Sequence, residues 1–303
     1  MLFLTGGSGF VGSRFIELYP ERARINALER MHAIPIDGVR RIQGDLLDID
    51  SLIRGMKGCR TVVHIGGATP NRAYLEGSYD ATLLGKKNLI ESARLVGIRR
   101  FIFVSTDSVT RSKGPYALSK LEAERDITTS GLDWTIFRPR TIVGSGGKDL
   151  GRMMRFWSRA RWIPVIGDGT YLKQPVFVDD LCNAITASLE NRETFGQIIS
   201  VAGPEGVTLD DFVSLFARKL GNGNFRLIHL PIYLVRPVAR LANYINPNWG
   251  LNSERVEIMT QSKIVAIDQF TQLINAEPAR FEEMVVKTVA AWSKAHDDRS
   301  KNL

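Results

Sequence analysis

A short apolar strand that runs into three glycines spaced three apart, with a helical pattern directly behind them, leaves a chain few ways to fold. Residues 2–12 have that form. Gly6 permits a tight turn, Gly9 lets backbone approach a pyrophosphate, and Gly12 lets the helix pack closely on the strand. The phosphates of a dinucleotide would rest on the free N–H groups and positive dipole end of that helix. The same spacing also occurs in turns that hold no ligand, so context has to decide. A second apolar strand at 25–28 supplies it, and Glu29 and Arg30 follow. A carboxylate there accepts hydrogen bonds from the adenosine ribose, whereas an arginine can hold a 2′-phosphate. Glu29 would repel such a phosphate and favours NAD; Arg30 keeps NADP open.

Apolar runs at 2–5, 25–28, 39–43, 61–65, 101–105 and 134–138 read as strands. Amphipathic segments near 10–19, 49–56, 79–97 and 115–130 read as helices. This alternation predicts an α/β fold of the Rossmann type, a doubly wound parallel sheet with ligands at the carboxyl ends of its strands. We expect residues 1–165 to form the NAD(P)-binding domain. Residues 166–303 should be a smaller, mostly substrate-binding C-terminal region interleaved with the sheet. Further helices are expected near 148–160, 179–190, 208–220, 231–245 and 278–295. In the first of these, Arg152, Arg155 and Arg159 share a face, most simply a solvated one, though it could bind a diphosphate. The segment 231–245 is apolar, with Arg236 and Arg240 one turn apart. Burial in a core is the ordinary fate of such a helix; a membrane surface or an apolar substrate would also suit it.

The net charge of +8 suits a polyanionic substrate such as a nucleotide diphosphate, or an acidic surface. Basic residues are not interleaved with aromatics, so no nucleic acid is expected as partner, and no metal is expected either. Cys59 and Cys182, far apart, read as reduced packing residues and fit a reducing, cytoplasmic setting. No signal peptide is expected ahead of the first strand, and no apolar run approaches the ~20 residues that span a bilayer.

A second motif is Tyr116-Ala117-Leu118-Ser119-Lys120. On a helix Tyr116 and Lys120 share a face. A neighbouring ammonium is expected to stabilise a phenolate and lower the tyrosine pKa, readying it for proton exchange with a substrate oxygen. A surface Tyr/Lys pair would look the same. Before it, a strand ends in Ser105 and Thr106, whose hydroxyls can reach a reacting oxygen.

In order, the chain carries Thr5-Gly6-x-x-Gly9-x-x-Gly12, Gly44-Asp45-Leu46, Val63-His64-Ile65-Gly66-Gly67-Ala68, Val104-Ser105-Thr106 and Tyr116-x-x-x-Lys120. Phe137-Arg138-Pro139 with Gly144, and Pro175 to Asp180, complete the set. The chain resembles an extended short-chain dehydrogenase/reductase of the NAD-dependent epimerase/dehydratase family, strongly over 1–220. The resemblance implies that Gly6, Gly9, Phe10, Val11 and Gly12 line the pyrophosphate and that Asp45 and Leu46 touch the adenine. Gly66, Gly67 and Ala68 would pass beside the cofactor, and Pro139 would lie near the nicotinamide. Thr106, Tyr116 and Lys120 would be catalytic, with Tyr116 and Lys120 also on the cofactor, and Thr69, Thr106 and Arg140 would face substrate. Asp179 and Asp180 match a helix cap better than a catalytic pair.

Some positions depart from the family pattern. Thr82 replaces the asparagine usual three residues before Gly85, which puts a proton relay in doubt. Asp107 is followed by Ser108 rather than glutamate, which argues against dehydration. The leading expectation is NAD(P)-dependent reduction or epimerisation of a nucleotide-activated sugar. A hydroxysteroid-type dehydrogenase is the rival enzyme. A cofactor-binding accessory subunit, like the one resembling this family in respiratory complex I, is the non-catalytic alternative. A homodimer is the family default.

Overall fold

The computed structural model describes residues 1–66, 78–245 and 253–301. The first half runs β1 (Leu2–Thr5), α1 (Phe10–Leu18), β2 (Ile25–Glu29), β3 (Arg40–Gln43), α2 (Ile49–Met56), β4 (Thr61–His64), α3 (Ser78–Leu95), β5 (Arg100–Val104), α4 (Pro115–Thr128) and β6 (Asp133–Pro139). There follow β7 (Ile142–Val143), α5 (Lys148–Trp157), β8 (Trp162–Ile166), β9 (Leu172–Lys173), β10 (Val176–Phe177), α6 (Val178–Ser188) and β11 (Gln197–Val201). The chain closes with β12 (Val207–Thr208), α7 (Leu209–Lys219), β13 (Arg226–Leu230), α8 (Ile232–Ile245), α9 (Ser253–Met259), α10 (Asp268–Ile274) and α11 (Phe281–Lys301).

Among the described residues, seven strands form one parallel sheet in the order β11-β6-β5-β4-β1-β2-β3. Successive side chains of a strand point to opposite faces. Leu2, Leu4, Ile102 and Val104 therefore enter one core with Phe15 and Ile16 of α1 and Leu181 and Ile185 of α6. Phe3, Phe101 and Phe103 enter the other, with Leu52 of α2, Leu89 of α3 and Ala123 and Ile127 of α4. Burying each such side chain contributes about 1.5–3 kcal/mol, more than the ~1 kcal/mol span of intrinsic strand preference. Strand order reverses between β1 and β4, and such a switch point opens a crevice at the carboxyl ends of the strands.

Three features of the second half differ from the sequence reading. The short run 197–201 is a seventh sheet strand paired to β6. Asp179 and Asp180 lie in the first turn of α6, whose N-cap is Phe177. Asp179 takes a two-pronged contact from Arg14 at 2.7 and 2.8 Å, and Asp180 accepts the Ala279 N–H at 2.9 Å. These two carboxylates thus clamp α1 and the C-terminal segment to α6 instead of capping it. Finally, α8 is not a core helix: Tyr233, Leu234, Val238 and Leu241 are exposed, while Val235 and Ala239 are buried. No helix among the described residues is long and apolar enough to cross a membrane.

Candidate active site

The turn after β1 has room only for glycine at two of its three positions. Gly6 has φ +85°, and a Cβ there would lie 2.6 Å from the Gly66 nitrogen. A Cβ on Gly12 would lie 2.0 Å from the Gly6 carbonyl oxygen. Gly9 donates its N–H to that same oxygen at 3.0 Å and is the N-cap of α1 without any side-chain cap. The first turn of α1 thus presents backbone N–H groups with no side chain over them, which is what a pyrophosphate requires. Phe10 packs beside Gly144, Gly146 and Gly147, and the Val11 carbonyl meets Cys182.

Glu29 ends β2. Its carboxylate accepts the Ile34 N–H at 2.8 Å and the Gln43 amide at 2.6 Å, so it is fixed at the end of β2. Arg30 turns outward and pairs with Asp45 at 3.3 Å. The acid, not the arginine, is the anchored group here, as NAD requires. Leu46 packs under Gly85, where a Cβ would come within 2.8 Å of it, and accepts an Asn88 amide hydrogen bond. Gly66 stands against Gly6 across the switch point. Gly67, Ala68 and Thr69 lie outside the described residues, as does the side chain of Thr82.

Tyr116 and Lys120 face the end of β5 from α4, as their spacing predicts. The Tyr116 phenol stands beside the Thr106 hydroxyl, which donates to the Ser108 Oγ at 3.1 Å. The expectation of a depressed tyrosine pKa is corrected. Burial pushes the phenol up to about 12, against the neighbouring Thr106 hydroxyl and with help from Glu254. Lys120 does not offset this, because its ammonium donates to the Val104 carbonyl at 2.9 Å and lies 4.8 Å from the centre of the Phe103 ring. Burial, reinforced by Lys86, holds Lys120 well below the ordinary lysine range. In this state the tyrosine is a proton donor.

Several participants were not read from the sequence. Glu124, one turn beyond Lys120 on the same face, accepts the Ser105 hydroxyl at 2.5 Å and the Arg138 Nε at 3.0 Å. Arg138 is therefore spent on holding α4 to β5 and β6. The i, i+4, i+8 spacing of Tyr116, Lys120 and Glu124 was the available signal. Glu254 of α9 accepts the N–H groups of Tyr116 and Ala117 at 3.3 and 3.0 Å, capping a helix whose own N-cap, Gly114, has no side chain to do so. Lys86 of α3 reaches the Ser119 carbonyl at 3.2 Å, and burial pulls it down to about 8. His64 lies 2.5 Å from the Thr5 hydroxyl, and burial, then Lys120 and Lys86, keep its ring well below the usual histidine range. None of these long-range pairings carries a local sequence signature.

The next residues along β5 and β6 form a cationic wall. Asp107 takes Arg111 at 2.7 Å, Arg140 at 3.8 Å and the more exposed Lys263 at 3.8 Å. Lys173 joins them, donating to the Ile258 and Met259 carbonyls, and burial with Arg111 and Arg140 lowers it to about 8. Arg140 is 8% exposed, yet its Nη1 has no hydrogen-bond partner. Pro139, at the end of β6, is buried beside it. By contrast, Arg152 is a surface residue paired with Asp149.

The chain is 28% identical over 208 residues to a 2-alkyl-3-oxoalkanoate reductase of Stenotrophomonas maltophilia, a match covering 59% of this chain and 62% of that protein. It is 24% identical over 267 residues to a UDP-glucuronate 4-epimerase of Thermodesulfobacterium geofontis, covering 80% and 75%. The fold matches that of MoeE5 in complex with UDP-glucuronic acid and NAD, with a TM-score of 0.75, 20% identity and coverage of 97% and 99%. A family model, the NAD dependent epimerase/dehydratase family, matches residues 2–202, from the first strand of the sheet to just past its edge strand; the chain belongs to that family.

Proposed function

We propose that this NAD-dependent enzyme reduces or epimerises a nucleotide-activated sugar, with an anionic group of the substrate held next to the reacting carbon. The observation that carries this reading is the wall formed by Arg111, Arg140 and Lys173. Arg111 and the buried Arg140 pair with one buried carboxylate, Asp107, one residue beyond Thr106, and the buried Lys173 lies close enough to both arginines to be lowered by them. An uncompensated buried cation is costly, and a substrate anion relieves that cost. The proposed residues of the C-terminal region 166–303 add Lys173 to this wall.

Bound in the cradle, NAD supplies the hydride acceptor or donor. Thr106 orients the substrate oxygen. Tyr116 Oη gives that oxygen its proton as a carbonyl becomes an alcohol, and takes it back in the oxidative half of an epimerisation. Lys120 and Glu124 hold the tyrosine helix in register with the strand ends, and Glu29 holds the ribose edge. A raised phenol pKa favours the donating direction. The two unbridged cysteines are compatible with a reducing, cytoplasmic setting. A 3-oxo acid is the second reading, because the same wall suits its carboxylate and the reductase relative carries that chemistry in its name.

Arg140→Gln is expected to raise KM for an anionic substrate by about 10- to 100-fold with a smaller change in kcat. The same KM should rise as pH passes about 8, because Lys173 is charged below that value and neutral above it. Steady-state kinetics between pH 6 and 10 check both. An unchanged KM in Arg140→Gln would remove the anion from the proposal.

A further inference from the structure

We propose that the outward face of α8 docks the protein onto membranes containing anionic lipid. Successive helix residues turn by about 100°, so residues four apart form rows. Tyr233, Pro237 and Leu241 make one row and Leu234 and Val238 the row beside it; Arg236 and Arg240 flank them on the other side. Tyr233, Leu234, Val238 and Leu241 are 74, 56, 57 and 59% exposed. Val235 and Ala239, on the opposite side, are buried and pack on Val256 of α9 and Ile166 of β8. The helix is thus amphipathic with its apolar rows facing away from the protein, the reverse of a helix folded onto its own core.

Charge selects the occupant. From residue 212 to residue 253 the chain has no Asp or Glu, and α8 itself carries Arg236 and Arg240. A second copy docked about a two-fold axis would bring this arginine row to the same face of its partner, with no carboxylate in the segment to neutralise it. A surface of lipid phosphates supplies both needs. The apolar rows enter the boundary between headgroups and acyl chains, and the arginines stay at phosphate level. Pro237 fits this placement, since the backbone carbonyl it leaves unpaired one turn earlier can be met by water or headgroups.

Co-sedimentation of the full chain with phosphatidylcholine vesicles, and with vesicles containing about one part in four phosphatidylglycerol, tests this. Partitioning into the anionic vesicles is expected, weakening with salt. Leu234→Asn/Val238→Asn should reduce it by about tenfold or more. Arg236→Gln/Arg240→Gln should reduce it by about fivefold per arginine on anionic vesicles, leaving phosphatidylcholine binding unchanged. Both variants should keep the parental melting temperature, because the residues are exposed. Failure of the parent to bind anionic vesicles overturns the proposal, and so does equal binding by both variants. A concentration-dependent dimer abolished by Leu234→Asn/Val238→Asn, without vesicle binding, assigns the face to a second copy instead.

Discussion

Tyr116→Phe is expected to lower the rate of carbonyl reduction by about 10²–10⁴-fold while NADH binding stays unchanged. The change removes one oxygen. It leaves the ring in place on α4, and it touches neither the Gly6–Gly12 cradle nor the fixed carboxylate of Glu29. The lost oxygen stands beside the Thr106 hydroxyl, which itself donates to the Ser108 Oγ at 3.1 Å, and on the proposed reading it is the group that gives a substrate oxygen its proton. Because burial pushes the phenol up to about 12, the parent keeps its proton through the neutral range. The reduction kcat should therefore hold from pH 7 to about 9 and fall only as the phenol titrates. Thr106→Ala, which loses the orienting hydroxyl but spares the acid, should cost less. Stopped-flow NADH oxidation beside a fluorescence titration of NADH separates the two effects. Residual turnover above about a tenth of the parent would mean another group gives the proton.

The second large effect is on stability. Glu124→Ala strips the buried carboxylate that Ser105 and Arg138 share, and leaves the Arg138 guanidinium without its partner. Breaking a buried pair on one side costs about 3–5 kcal/mol. Arg138 is one-fifth exposed, so water recovers part of it and about 3 kcal/mol is expected. That corresponds to a melting temperature lower by about 5 °C. Turnover should fall as well, because α4 loses the tie that sets Tyr116 and Lys120 against the end of β5. Combining Glu124→Ala with Arg138→Leu should be less destabilising than the sum of the single changes, as a double-mutant cycle by urea unfolding would show. Additive changes would mean that the pair does not hold the helix.

Features fixed by local backbone or by helical spacing were legible in the chain. The glycine turn is one, because Gly12 cannot carry a Cβ against the Gly6 oxygen whatever the rest of the protein does. The placement of Tyr116 and Lys120 on one face is another. What Lys120 then does was not legible: its contact with the Val104 carbonyl depends on how deeply α4 sinks onto β5. A phenolate-stabilising ammonium was the natural expectation for two side chains in water, and burial reverses it. Glu254 lies 138 residues from the Tyr116 N–H that it caps, and no pattern within either helix announces the meeting. Arg138 and Arg140 look equivalent in the sequence. Only the presence of Glu124 beside one of them, and the unpartnered Nη1 on the other, tells a tether from an anion site. The strand at 197–201 escaped notice because its inward residues, Ile199 and Val201, are too few for a clear alternation. The exposure of α8 was hidden by the same apolar composition that suggested burial.

The central claim is hydride transfer to an anionic carbonyl substrate with Tyr116 as the acid. Its most direct test offers NADH deuterated at the transferred position of the nicotinamide. The substrates are a panel of UDP-, GDP- and dTDP-4-keto sugars together with a 3-oxo acid, and the products are weighed by mass spectrometry. The account predicts deuterium on the alcohol carbon of at least one anionic substrate, and its absence with Tyr116→Phe. NADH binding without deuterium transfer to any member of the panel would contradict it.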